Sequence, residues 1–198
     1  MKFYDWRMDA IRGGHGFHMD VGAFSSPKTG GGAVTILDQD RPEGIVSATA
    51  GTVIIPIRIH VVCQVPLIAA DSNETEILIA ADKAAAAAGS TGIAGATAET
   101  PVNMHTGSSS TTACSCYSAS TANWTNPTLG MELGHAVRVA DIILTGTAAN
   151  ALWSEMSLLY EPITPPILTG PCAIYIYWGG TVATTGFAQV EWIELTDA

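Results

Sequence analysis

The chain has 198 residues, of which 47% are hydrophobic and only 13% charged, and 18 acidic against 8 basic side chains give a formal net charge of −10. One domain is expected at this length, enough to bury roughly 70% of the surface the unfolded chain exposes, and the charged share is about half the usual quarter. The negative balance excludes nucleic acid and anionic membrane surfaces as partners, and no run of 18 apolar residues crosses a bilayer, the longest being broken by Arg58 and His60 or by Asp82.

Lys2 is followed by Asp5, Arg7 and Asp9 with no apolar stretch behind them, so the chain is expected to carry no secretory signal and to be made in a cytoplasm. Phe3, Tyr4, Trp6, Met8 and Ile11 give a mixed period, and three aromatic residues at a chain start predict an arm packed on another surface. Gly13 and Gly14 end it. Phe17, Met19, Val21 and Ala23 then alternate with His18, Asp20 and Gly22, the pattern of a half-buried strand, and Gly30-Gly31-Gly32 forms a joint. The expected division is residues 1–32 as arm and first strand, and 33–198 as the main domain.

A short strand is predicted over Val34 to Leu37 and the strongest one after Gly51. Val53, Ile55, Ile57, Ile59, Val61, Cys63 and Val65 should share one face, with Ile54, Pro56, Arg58, His60, Val62 and Gln64 on the other. Pro56 lacks an N–H, so the strand is expected at a sheet edge there or bulged. Glu74 to Ala81 reads as another strand, and Asp82 is placed to cap a brief helix through Ala88. Thr106 to Thr128 is hydroxyl-rich and almost uncharged, yet it holds Tyr117 and Trp124, which predicts an ordered excursion with short strands rather than disorder.

His135 to Leu144 and Leu152 to Tyr160 are predicted as strands, Pro165-Pro166 and Gly170-Pro171 as punctuation. The final runs, Pro171 to Gly180 and Phe187 to Leu195, are rich in β-branched and aromatic residues and predict two strands of one long hairpin, locked into the core by Trp178 and Trp192. About eight strands without long helical segments predict an all-β sandwich or barrel.

Residues able to carry chemistry are few. His15 and His18, with Asp20, have an H-x-x-H spacing, but in an extended chain positions three apart face opposite ways, so no metal site is expected. Cys114 and Cys116 would share a strand face without a second ligand pair nearby, and free thiols are expected there; Cys63 and Cys172 read as core. Glu74 with Glu76, and Glu191 with Glu194, are the possible paired carboxylates, although acidic residues on strands are ordinarily solvation. Asn73-Glu74-Thr75 and Asn123-Trp124-Thr125 match the glycosylation pattern but lack a secretory route. Trp124, Tyr175, Tyr177 and Trp178 would stack on sugars if exposed and otherwise fill a core. The expected catalytic, cofactor and metal residues are therefore none.

Over Gly51 to Ile59, and again from Pro171 to Leu195, the chain resembles small structural proteins of tailed or icosahedral bacteriophage virions. That resemblance implies a jelly-roll β-sandwich without enzymatic activity or cofactor. It implies a virion subunit of capsid, decoration or minor-capsid type, assembled in a host cytoplasm, whose partners are its own copies, a trimer by analogy, and other virion proteins. Low charge, the uncharged middle and the aromatic start suit a subunit that hides its surface against copies of itself. The alternative is a carbohydrate- or receptor-binding β-sandwich, for which exposed Trp124 and Tyr175 would be the feature.

Overall fold

The computed structural model describes residues 5–30, 37–67, 73–83, 96–118, 130–140, 152–181 and 184–197. Within them lie one short helix, α1 (Trp6–Arg12), and thirteen strands, eight of which have five or more residues. Those eight are β1 (Gly16–Val21), β3 (Gly44–Ala48), β4 (Thr52–Leu67), β5 (Asn73–Asp82), β9 (Met131–Ala140), β10 (Leu152–Tyr160), β12 (Cys172–Gly180) and β13 (Thr185–Thr196). The short ones are β2 (Lys28–Thr29), β6 (Thr97–Ala98), β7 (Val102–Asn103), β8 (Ser115–Ser118) and β11 (Leu168–Thr169). Two antiparallel sheets pack as a sandwich. The first runs β10-β4-β13-β1-β7 and the second β6-β8-β3-β12-β5-β9.

The pairing is nested. β1 pairs with β13, β3 with β12, β4 with β10 and β5 with β9, so strands close in sequence lie innermost and the two chain ends meet outermost. The expected final hairpin is therefore corrected. β12 pairs with β3 and β5 in the second sheet, whereas β13 lies between β1 and β4 in the first. The link between them crosses from sheet to sheet, and each strand finds a long partner made much earlier in the chain. Near-neighbours in sequence usually pair, but here the apolar faces of both strands are satisfied only by being central in different layers.

The predicted single face of β4 is corrected too. β13 pairs in register from Glu191↔Arg58 upward, but Trp192 lies opposite Pro56, so Ile57 is an extra residue on β4. Pro56 cannot donate to the ladder, and the chain answers with a bulge, one of the two expected outcomes. An added residue exchanges the faces of everything beyond it. Ile59, Val61 and Cys63 point into the sandwich, as does Ile54, while Val53, Ile55 and Ile57 point outward. This outer strip is covered by α1, whose Ala10 and Ile11 pack on it with Met104 and Ile193.

Sequence explains α1 locally. Asp5 caps it, its carboxylate accepting from Arg7 N at 3.0 Å, and Gly13 ends it. From Trp6 to Arg12 the expected arm is thus a helix lying on its own domain; residues 1–4 are outside the described set. The expected strand at Val34 to Leu37, the helix beyond Lys83 and the strand beyond Ala140 also fall outside the described residues in whole or in part.

Between the sheets, Phe17, Met19, Val190 and Trp192 of the first face Val46, Ile77, Ile174, Ile176 and Trp178 of the second. The Phe17 and Trp192 rings stack with centroids 6.0 Å apart. Every residue of β12 is buried, because its outer side carries Tyr175 and Tyr177, covered by the chain around Leu37 to Glu43. Tyr177 Oη donates to Gln39 O at 3.0 Å, and the Glu43 carboxylate accepts Trp178 N at 2.9 Å where β3 has ended. Gly186 is required by close approach: a Cβ there would lie 2.8 Å from Val62 O and 3.0 Å from the Trp178 indole nitrogen.

Trp192 is fully buried, and its indole N–H finds no partner among the described residues. Trp192→Ala should therefore cost about 3–5 kcal/mol, in the range for emptying a large core site. Trp192→Phe should cost far less, since it keeps the stack on Phe17 and removes an unsatisfied donor. Urea midpoints of the two variants check this; equal losses would contradict it.

Candidate functional site

A polar surface lies on the outer face of the first sheet, where β1, β13 and β4 run side by side. Cross-strand register puts His18 beside Glu191 and Glu191 beside Arg58, with Asp20, Gln189 and His60 in the next row. His18 Nε2 lies 3.2 Å from Asp20 Oδ1, its Nδ1 3.8 Å from Glu191 Oε1, and Arg58 Nη1 donates to Glu191 Oε1 at 3.0 Å. Gln189 Nε2 donates to Asp20 Oδ1 at 3.4 Å. Such partly exposed pairs are each worth about 1 kcal/mol or less. They tie the three strands together through polar contacts on a partly exposed face.

His15 and His18 are not brought together on a common ion. The His15 backbone carbonyl accepts Glu194 N at 2.8 Å, and its side chain borders a small cleft of about 120 Å³ with Phe17, Thr52, Ser110 and Glu194. Among the described residues no group of three His, Cys, Asp or Glu side chains has the geometry to hold a metal ion.

All four thiols are buried and free. Burial pushes the Cys63, Cys116 and Cys172 thiols up to about 12, with nearby carboxylates, Glu155 for Cys63 and Asp82 for Cys172, adding to the shift. Cys114 is raised further by burial and by Glu194 beside it. Cys114 and Cys116 lie buried in the same inter-sheet cluster as Cys63 and Cys172.

The paired carboxylates are divided among structural tasks. Glu191 belongs to the outer polar face, whereas Glu194, three residues on and so turned the other way, accepts from Thr112 Oγ1 at 2.6 Å and Ala113 N at 2.7 Å. Glu76 contacts His135 Nε2 across β5 and β9. Tyr175, Tyr177 and Trp178 are no more than 1% exposed and offer no platform to a sugar; Trp124 lies outside the described residues.

Sequence reasoning missed an apolar groove of about 370 Å³ between α1 and the loop leading to β11. Trp6, Ile55, Ile163, Pro165 and Ile167 line it. Arg7 ties its two walls together, its Nη2 donating to Pro162 O and, at 3.3 Å, to Ile163 O. The segment around Pro165-Pro166 had been legible only as punctuation. Its available signal was two isoleucines, Ile163 and Ile167, in a turn where polar residues are the rule.

No family model, no curated protein and no solved structure matches this chain.

The raised thiols set a pH dependence. Their neutral form is favoured by the fold, so the contribution is present in full below about pH 9, the ordinary thiol value, and is lost as pH rises toward 12. Half-buried Tyr160 and buried Tyr177, also raised by desolvation, act in the same direction. Urea midpoints should fall above pH 9, and an alkylating reagent at pH 8 should label the four cysteines only after unfolding. Rapid labelling of the native chain would contradict the assignment.

Proposed function

We propose that the chain is a jelly-roll structural subunit that works by symmetric self-assembly, as a capsid, capsid-decoration or minor-capsid protein of a bacteriophage particle does. The observation that carries the reading is the nested strand order. The eight longer strands fall as β1-β13-β4-β10 in one sheet and β3-β12-β5-β9 in the other, an order that supports a jelly roll, one long antiparallel hairpin rolled into two Greek keys. Fold alone does not fix function, and jelly rolls also serve as lectins and cupins. The choice among these rests on the surface.

A cupin would need closely spaced histidines joined by a glutamate, which the sequence lacks. A sugar-binding module would need aromatic platforms; Tyr175 is buried, while Trp124 lies outside the described residues and Phe24 is exposed. What supports assembly is apolar surface left in water by a chain with few charges. Ile163 is 95% exposed and Ile167 69%, they flank a groove, and Val137 and Val139 stand exposed on edge strand β9 of the second sheet. Exposed apolar surface supports a contact with protein, and obligate interfaces resemble a core cut in half. Copies of the same chain are the first partner, a trimer by jelly-roll analogy, and other particle proteins the next.

Light scattering at micromolar concentration tests the proposal. The expected mass is a multiple of 20.6 kDa, three times for the trimer. A chain that stays at 20.6 kDa across concentration would contradict self-assembly.

A further inference from the structure

Between β7 and β8 the chain from Met104 to Cys114 forms no strand, and its attachments to the sandwich fall into two sets. Near β7, Met104 N donates to Gly16 O at 2.9 Å, and Asn103 Nδ2 donates to Gly14 O at 2.8 Å and to Ser110 O at 3.3 Å. Near β8 the bonds converge on one side chain. Glu194 of β13 accepts Thr112 Oγ1 at 2.6 Å and Ala113 N at 2.7 Å, one on each carboxylate oxygen. Cys114 N donates in turn to Thr112 Oγ1 at 3.0 Å, so the hydroxyl that grips Glu194 also fixes the approach to β8.

This attachment stands at one end of the inter-sheet core. The small cleft beside it is lined by Gly14, His15, Thr52, Ser110 and Glu194 and reaches Phe17, whose ring stacks on Trp192. Cys114, buried in the core cluster with Cys116, follows the loop directly. The loop itself is wet, with Ser110, Thr111 and Ala113 exposed. A segment with few apolar contacts and exposed backbone is the kind that opens locally while the rest of a domain stays folded. Its closure then depends on the Glu194 bonds. Hydrogen bonds to an ionised carboxylate are roughly twice as strong as those between neutral groups, and protonation turns one of the two acceptor oxygens into a donor.

Other titratable groups face Glu194 from the elements around it. His15 lines the same cleft, Cys114 and Cys116 face it from β8 and its approach, and Glu99 lies on the far side of Cys116; β4 presents Thr52, which carries no charge. An imidazolium at His15 favours the ionised carboxylate, and burial holds both thiols neutral. Loss of the Glu194 charge is therefore what weakens the attachment. We infer that Glu194 is an acid-sensitive latch: ionised, it holds residues 108–113 over the Cys114 end of the core, and protonated, it lets that loop open while both sheets stay folded. The inference goes beyond the assembly reading and stands without it.

Hydrogen exchange resolved by residue on the full chain tests the latch, each rate divided by the intrinsic rate at the same pH. In the unaltered chain, exchange at Ala113 N and the neighbouring loop amides should rise by about tenfold or more between pH 7 and pH 3, as weakening of two charge-assisted bonds implies, while β12 amides stay protected. Glu194→Gln keeps the side-chain shape without the charge, so its loop should exchange fast already at pH 7 and answer no further to acid. A loop rate in the unaltered chain that does not rise with acid would overturn the latch. So would a Glu194→Gln loop that is still slow at pH 7, or one that responds to acid as the unaltered chain does, since another group would then be responsible. Loss of β12 protection together with the loop would overturn it as well, because the opening would be global.

Discussion

The constraint on which much of the first sheet depends is the missing N–H of Pro56. Pro56 lies opposite β13 on one side and, on the other, in the gap between β11, which pairs with Val53 and Ile54, and β10, whose pairing begins at Ile59; there the β13 ladder slips by one residue and Ile57 is left over. That slip gives β4 two apolar sets on opposite faces, Ile59, Val61 and Cys63 inward and Val53, Ile55 and Ile57 outward. An outward apolar strip must be covered, and α1 covers it. Helix placement, the Arg7 clamp and the open remainder beyond Trp6 all descend from one residue without a donor.

The second sheet solves a related problem differently. β9 carries its own extra residue, Leu133, opposite the step from Ile79 to Ala80, and the phase of its inward residues changes from Met131 and Leu133 to Ala136. The far half of β9 then shows Val137 and Val139 to solvent. At the sandwich edge Arg138 Nη1 donates to Glu155 O at 3.2 Å, tying β9 to β10 across the two sheets. In the centre, β12 is enclosed on both sides, and its outer tyrosines reach backbone and carboxylate partners at Gln39 and Asp82. Buried hydroxyls so satisfied cost little, whereas unsatisfied ones would cost about 1–3 kcal/mol each.

Strand existence was legible because period-2 alternation is a local property. The runs at Phe17, Val53, Glu74 and Leu152 all became strands within a few residues of where alternation placed them. Pairing was not legible in the same way. β12 and β13 are both bounded by Gly or Pro and separated by a short link, and nothing local distinguishes a hairpin from a crossover between layers. The face of β4 was misread because alternation across residues 53 to 65 is unbroken in the sequence and the slip at Ile57 arises only when Trp192 is set opposite Pro56. The groove was not legible either, since it joins Trp6 to Ile163 and Ile167 through a helix whose position depends on that slip.

The central claim is that this chain acts through contacts with copies of itself, and a density map of the assembled protein at side-chain resolution tests it most directly. The account predicts that in every copy the surface formed by Trp6, Ile163 and Ile167 is covered by another subunit. A particle or oligomer in which that surface faces solvent in all copies would contradict it.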